Sequence, residues 1–210
     1  MNKVLSILLI SISLMGWSQE RVLFDELSDE NYDLFGIMMY ENEVFNGVSI
    51  EKDEDGTIEQ HYINGKKDGL RKSWDENGQL ESIGNYKDGT RNGLSTQWYD
   101  DGKVFVKRNW KNDKKDGLQM VWNRNGQLKE EINFKDGEVD GKCTKWYDNG
   151  QKRQEGEMKN GKLEDGLHES WYENGQIRSR LNFRNDRDDN WITEFDENGQ
   201  IIKKTKMKKD

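Results

Sequence analysis

Proline and alanine are both absent from the 210 residues, cysteine occurs once and histidine twice. Without alanine, the strongest helix former, a helical bundle is a poor reading. A single cysteine, Cys143, excludes a disulfide framework. Cys143, His61 and His168 supply too few ligands for a closed zinc site. Positive charge is in deficit too, with 33 Lys and Arg against 41 Asp and Glu and a net charge of -8. That balance argues against a partner made of nucleic acid. Leu, Ile, Val and Phe together number only 43, and eight of them fall in the first 14 residues. So sparse an apolar set with high charge is ordinarily a mark of disorder. The chain nevertheless holds 22 Trp, Tyr and Phe, and they recur at a fixed spacing that disorder does not require.

Residues 1–18 have the layout of a secretory signal. Lys3 precedes an apolar stretch from Val4 to Met15, and the small residues Gly16 and Ser18 stand before Gln19. The stretch is shorter than the roughly 20 residues a membrane-spanning helix needs. No cysteine follows it, so a lipoprotein is not expected. The reading is an exported chain (periplasmic, surface-bound or secreted) cut near Ser18-Gln19; the alternative is an uncleaved anchor.

The remainder is periodic. Gly69, Gly93, Gly117, Gly141 and Gly166 each open a unit, and five residues later stands Trp74, Trp98, Trp122, Trp146 or Trp171. A turn signal follows at Asn77-Gly78, Asp101-Gly102, Asn125-Gly126, Asn149-Gly150 or Asn174-Gly175, then an apolar residue in four of these five units. Tyr86, Trp110, Phe134, Met158 or Phe183 closes each unit, mostly before a second Asx-Gly turn. A shorter unit starts at Gly47, and a last one at Asn190 keeps Phe195 and Asn198-Gly199. The expected organisation is a signal at 1–18, an N-terminal segment at 19–46 holding a degenerate capping repeat, tandem repeats over 47–202, and a Lys-rich tail at 203–210.

Asx-Gly between short alternating runs signals a β-hairpin. A three-residue loop, Glu76-Asn77-Gly78, pairs Trp74 with Leu80, whereas a two-residue loop would set them on opposite faces. The expected turn is therefore type I with a left-handed glycine and a bulge. Continued alternation then puts Leu70 and Tyr86 on the same side as Trp74, and Arg71, Ser73, Glu81 and Asn85 on a polar side. One residue is inserted between Met158 and Gly166. The apolar positions change from even to odd numbers across it and the pattern survives, which places the insertion in a turn. The fold class is all-β: an elongated, single-layer antiparallel meander of hairpins of about 24 residues. Its repeat core is expected to be Trp74, Trp98, Trp122, Trp146, Trp171 and Phe195, with Tyr86, Trp110, Phe134 and Phe183. Gly84 and Gly156 are expected to make room for neighbouring rings.

The repeated run G-L-x-x-x-W-Y-x-N-G-Q, clearest at Gly166-Leu167, Trp171-Tyr172 and Asn174-Gly175-Gln176, resembles the MORN repeat. It is closest to the bacterial variant found in YwqK-family antitoxins. The resemblance covers about residues 44–202. It implies a repeat-built antiparallel sheet with a binding or scaffolding role, and it carries no catalytic residues. The antitoxin label implies inhibition of a toxin inside the cell, and the export signal departs from that.

The residues give little chemistry of their own. Glu51, Asp53, Asp55 and Gly56 make an incomplete calcium loop, with Tyr62 where the closing Glu belongs. Cys143 and His168 form a conceivable thiol and base, but both stand at positions that other units fill with other residues. No enzyme activity, cofactor or metal is expected. Tyr99, Tyr147 and Tyr172, next to the repeat tryptophans, are the candidate partner contacts. The Lys-rich tail suits either an anionic surface or protection of the last strand. The sequence thus points to a non-enzymatic exported protein that binds another protein or serves as a scaffold. The alternatives are an antitoxin-type inhibitor and a binder of membrane surface or glycan, and the oligomeric state stays open.

Overall fold

The computed structural model describes residues 20–23, 38–40, 43–187 and 190–207. The signal at 1–18, most of the proposed cap at 24–37 and the last three tail residues lie outside them. The chain divides into two compact units, Met1–Arg91 and Asn92–Asp210. The described residues contain strands and turns, with no helix.

In the first unit, β1 (Glu20–Leu23) runs parallel to β4 (Gly47–Lys52). This pairing departs from the antiparallel expectation. It is possible because the connection is long enough to cross over, which a tight hairpin is not. The short strands β2 (Met39–Tyr40) and β3 (Glu43–Val44) pair with each other. From β4 onward the order is a plain meander: β5 (Gly56–Ile63), β6 (Lys66–Asp75), β7 (Leu80–Lys87) and β8 (Thr90–Arg91). Among the described residues of this unit, Met38, Phe45, Val48 and Tyr62 are the buried hydrophobic ones. The rings of Phe45 and Tyr62 meet edge to face at 5.7 Å.

The second unit continues the same grammar. Its strands are β9 (Gly93–Trp98), β10 (Val104–Lys111), β11 (Lys114–Lys115), β12 (Gly117–Trp122), β13 (Leu128–Lys135) and β14 (Glu138–Trp146). After them come β15 (Lys152–Lys159), β16 (Lys162–Leu163), β17 (Gly166–Trp171), β18 (Ile177–Phe183), β19 (Trp191–Phe195) and β20 (Ile201–Lys206). The pairing is antiparallel throughout: β11 and β12 both pair with β10, β16 and β17 both pair with β15, and the other strands pair with their neighbours in sequence.

Two kinds of turn alternate. In the first, Gly78 donates its amide to the Asp75 carbonyl and Asp75 donates to the Gln79 carbonyl, with Gly78 at φ +81°. This is a type I turn with a glycine bulge, and the same bonds recur at Tyr99, Asn123, Tyr147, Tyr172 and Asp196. The second kind has two central residues with positive φ: Asn64-Gly65, Asp88-Gly89, Asn112-Asp113, Asp136-Gly137 and Asn160-Gly161. That is the type I′ hairpin, whose twist matches the strands.

The register next to the first turn corrects the expected division of faces. Trp74 pairs with Leu80, but Ser73 pairs with Ser82, leaving Glu81 as an extra residue. The same step separates Gln97–Val106 from Trp98–Val104, and it recurs in every later hairpin of this kind. One extra residue inverts the alternation along the rest of the strand. Tyr86 therefore shares its side with Gly69, Arg71 and Ser73, while Asn85 shares its side with Leu70. The two sides are both mixed, rather than one aromatic and one polar.

The insertion before Gly166 sits in the bend between β16 and β17. Pairing resumes at Gln154–Ser170 and Glu155–Glu169 with the side assignment intact. His168 holds the bend by donating from Nε2 to the Glu164 carbonyl at 2.8 Å.

Candidate binding face

In the second unit the pairings put Leu94, Leu118, Leu167 and Trp191 on one side of the sheet, each at the second position of its repeat. Trp98, Trp122, Trp146, Trp171 and Phe195 lie on the same side, four residues further along their strands. Leu94 is 45% exposed, Leu167 49% and Trp191 48%. Repeated apolar residues left half in water on one face are a feature of interaction surfaces. Cations lie over the rings: Lys107 Nζ is 6.0 Å from the Trp122 ring and Lys152 Nζ is 5.8 Å from that of Trp171.

The opposite side carries the buried row. Val106, Gln119, Ile132 and Leu181 are each under 10% exposed. Trp110, Phe134, Met158 and Phe183 stand on this side at the ends of their strands. Trp110 donates its indole N–H to Ser95 Oγ at 2.8 Å, which fixes the ring across a neighbouring strand. All ten aromatic residues expected to form the repeat core are half-buried. The fully buried positions belong instead to the mid-strand residues, where neighbours lie on both flanks.

The three tyrosines have a place that the repeat pattern did not suggest. Tyr99 donates its hydroxyl to the Trp122 carbonyl, Tyr147 to that of Trp171 and Tyr172 to that of Phe195, each at 2.8 Å. All three rings are half-buried. Each hydroxyl thus satisfies a backbone carbonyl one repeat further on. The turn residues are also linked. Asn125, Asn149 and Asn174 accept, through Oδ1, the amides of Gln127, Gln151 and Gln176, all at 2.9 Å. At Asn77-Gly78 and Asn198-Gly199, Asp75 and Asp196 do this instead. A Cβ on Gly150 or Gly175 would touch Gln127 or Gln151 of the preceding turn.

At the other turns, carboxylates form the links. Asp140 accepts from Lys159 at 3.2 Å and from the Asn160 amide at 3.3 Å. Asp68 does the same with Lys87 and the Asp88 amide, at 2.8 and 3.3 Å. The lysine hydrogen bond in each case holds the carboxyl below its ordinary range. Asp116 and Asp165 accept the amides of Asp136 and Asn185.

The remaining chemical candidates are equally placed. Asp53 uses Oδ1 on the amides of Asp55 and Gly56, at 2.9 and 3.0 Å, so it caps its own turn. No three His, Cys, Asp or Glu residues converge among the described residues. Cys143 and His168 line one groove on the buried side of the second unit. Burial pushes the Cys143 thiol up, with Lys145 opposing and Glu130 adding to it. A raised thiol is a poor nucleophile at neutral pH. Gly156 lies between the strands of these two residues, and a Cβ there would collide with the His168 ring. In β20, Ile201, Ile202, Lys203, Lys204 and Lys206 are exposed.

No curated protein matches the sequence. The model of the MORN repeat variant matches residues 67–88, 91–112, 115–136, 139–160 and 164–185. These tandem matches take in more than half of the chain and coincide with hairpins of one register, so the chain belongs to the MORN repeat variant family.

Proposed function

We propose that this is a non-enzymatic, exported binding protein whose Leu94–Leu167–Trp191 side docks another protein. Repeats of this family are generally protein- or membrane-binding modules. The observation that carries the reading is the row of half-exposed apolar residues on one side, interrupted by Lys142 and flanked on the facing strands by Lys107, Glu131, Glu155 and Arg180. Such a surface offers apolar anchors with a polar surround, the composition of a protein interface. Its repetition along the strands suits a long partner surface better than a small molecule. Export rests on the N-terminal segment, Lys3 through Ser18.

The test is recovery of the full chain from its native cell after cross-linking, beside a variant with Leu94→Ser, Leu167→Ser and Trp191→Ser. One stoichiometric protein partner, retained by the native chain and lost by a variant of unchanged melting temperature, supports the reading. A partner held equally by both variants overturns the assigned face. A captured toxin, neutralised on co-expression, would make the protein an inhibitor of the antitoxin type. Retention on anionic vesicles or cell-wall polymer alone would replace the protein partner with a surface.

A further inference from the structure

The second unit ends on an open edge. Among its described residues, β20 pairs with β19 alone. The register sets Trp191 opposite Lys206, Ile192 opposite Thr205 and Thr193 opposite Lys204. Met207 donates its amide to the Asn190 carbonyl at 2.8 Å. Antiparallel ladders alternate between bonded and unbonded pairs, so this one bond fixes the phase of the strand. Thr205 turns its backbone groups inward to β19, as Met207 does its amide. Lys204 and Lys206 turn their amides and carbonyls outward, where no described strand of this unit meets them. An unpaired row of donors and acceptors is a template for one more strand.

The side chains on this edge decide which strand fits. Lys204 and Lys206 stand on the side of Trp191, and Thr205 stands on the other, beside Ile192. Lys203, Lys204 and Lys206 are exposed, and none has an ion pair among the described residues. By contrast, Lys87 and Lys159 are held by Asp68 and Asp140 at 2.8 and 3.2 Å. Thr205 is half-buried, and its hydroxyl is shielded from water without a hydrogen-bond partner. That side of the edge is therefore dry and suits an apolar neighbour. At the start of the strand Ile201 and Ile202 are 56% and 61% exposed.

A second copy of β20 laid beside the first would set lysines against lysines, which is unfavourable across a strand pair. The same charge favours a strand that carries carboxylates. We propose that the outer edge of β20 takes up an extended acidic segment of a partner protein as an added strand. Its carboxylates alternate with apolar residues: the carboxylates lie beside Lys204 and Lys206, and the apolar residues lie beside Thr205. Backbone hydrogen bonds to Lys204 and Lys206 supply affinity, and the alternate side chains supply selectivity. The proposal does not rest on the docking face, since it uses outward backbone groups and lysines that the apolar row does not include.

The experiment titrates the full chain with an end-blocked peptide of alternating glutamate and valine. Binding is read by fluorescence anisotropy and by hydrogen exchange of the β20 amides. The Lys204 and Lys206 amides should exchange more than about tenfold slower in the complex. Lys204→Pro removes an outward donor and no bond to β19, and it should weaken binding by more than about tenfold. Lys204→Ala combined with Lys206→Ala keeps the backbone and should weaken it about fivefold, a loss that added salt reproduces. Leu94→Ser with Leu167→Ser should leave peptide binding unchanged, which separates this edge from the docking face. Circular dichroism checks that the proline variant is folded, and exchange in the native chain decides the matter should it not be. Unprotected Lys204 and Lys206 amides at saturating peptide would overturn the proposal. So would equal binding of an acidic peptide of the same charge interrupted by prolines, or of a lysine–valine peptide. Capture of anionic vesicles with no binding of the peptide would assign the lysines to a lipid surface and overturn it as well.

Discussion

The two turn columns of the repeats share a sequence signature and differ in structure. Asn149-Gly150 and Asn160-Gly161 both read Asx-Gly, yet the first closes a three-residue loop with a bulge and the second a two-residue type I′ turn. The links between repeats differ accordingly. At the bulged turns a tyrosine hydroxyl or a glutamine reaches the next repeat, while at the type I′ turns an aspartate carboxylate does. The two columns thus join successive hairpins through different groups: a tyrosine hydroxyl and the turn asparagine itself at the bulged turns, where Asn149 Nδ2 donates to the Glu173 carbonyl at 2.8 Å, and an aspartate carboxylate at the type I′ turns.

The largest expected effect that separates the columns is Gly150→Val. Gly150 has φ +85° and already sits against Gln127, so a β-branched residue should cost about 2 kcal/mol of stability, read by chemical denaturation. Tyr147→Phe removes only a hydroxyl and leaves the Trp171 carbonyl without its donor. It should cost about 1 kcal/mol in the same assay. Equal stability of the Phe variant would show that the hydroxyl link is dispensable.

Asp113 sharpens the comparison in the opposite direction. It has φ +63° where the other type I′ turns carry glycine. Asp113→Gly should therefore raise stability by roughly 0.5 kcal/mol, visible as a higher melting temperature. The smallest effect concerns pH. Asp68 and Asp140 have carboxyls lowered by lysine hydrogen bonds, so their contribution is present above the ordinary carboxylate range. It is lost as the pH falls through the lowered folded-state values. Melting curves across that window should show a smaller acid-induced drop for Asp140→Asn than for the native chain. An identical drop would mean that these exposed links add nothing measurable.

Much of the fold was legible in the residues because two periodicities coincide: strand alternation and the 24-residue spacing. Loop length followed from the need to pair Trp74 with Leu80, and that pairing is present. The side assignment was not legible. A single extra residue at Glu81 inverts everything after it, and no residue type marks that bulge. The tyrosine links were hidden for a related reason. Alternation places Tyr99 away from Trp98, but it does not show that the ring reaches the carbonyl of Trp122. The exposed row of Leu94, Leu167 and Trp191 was not legible: the second position of the repeat is apolar in both buried and exposed settings, and exposure depends on what packs over it. The parallel pairing of β1 with β4 involves a strand outside the repeats, where periodicity gives no guidance.

The tyrosine hydroxyls each span a single repeat, and this range has a mechanical consequence. Under tension applied at the C-terminus, the second unit would yield hairpin by hairpin, because releasing the last one removes the Tyr172 tether and leaves the Tyr147 tether in place. The force record would be a series of similar small steps, and amide exchange would be graded along the chain, fastest near β20 and slower toward the interior hairpins.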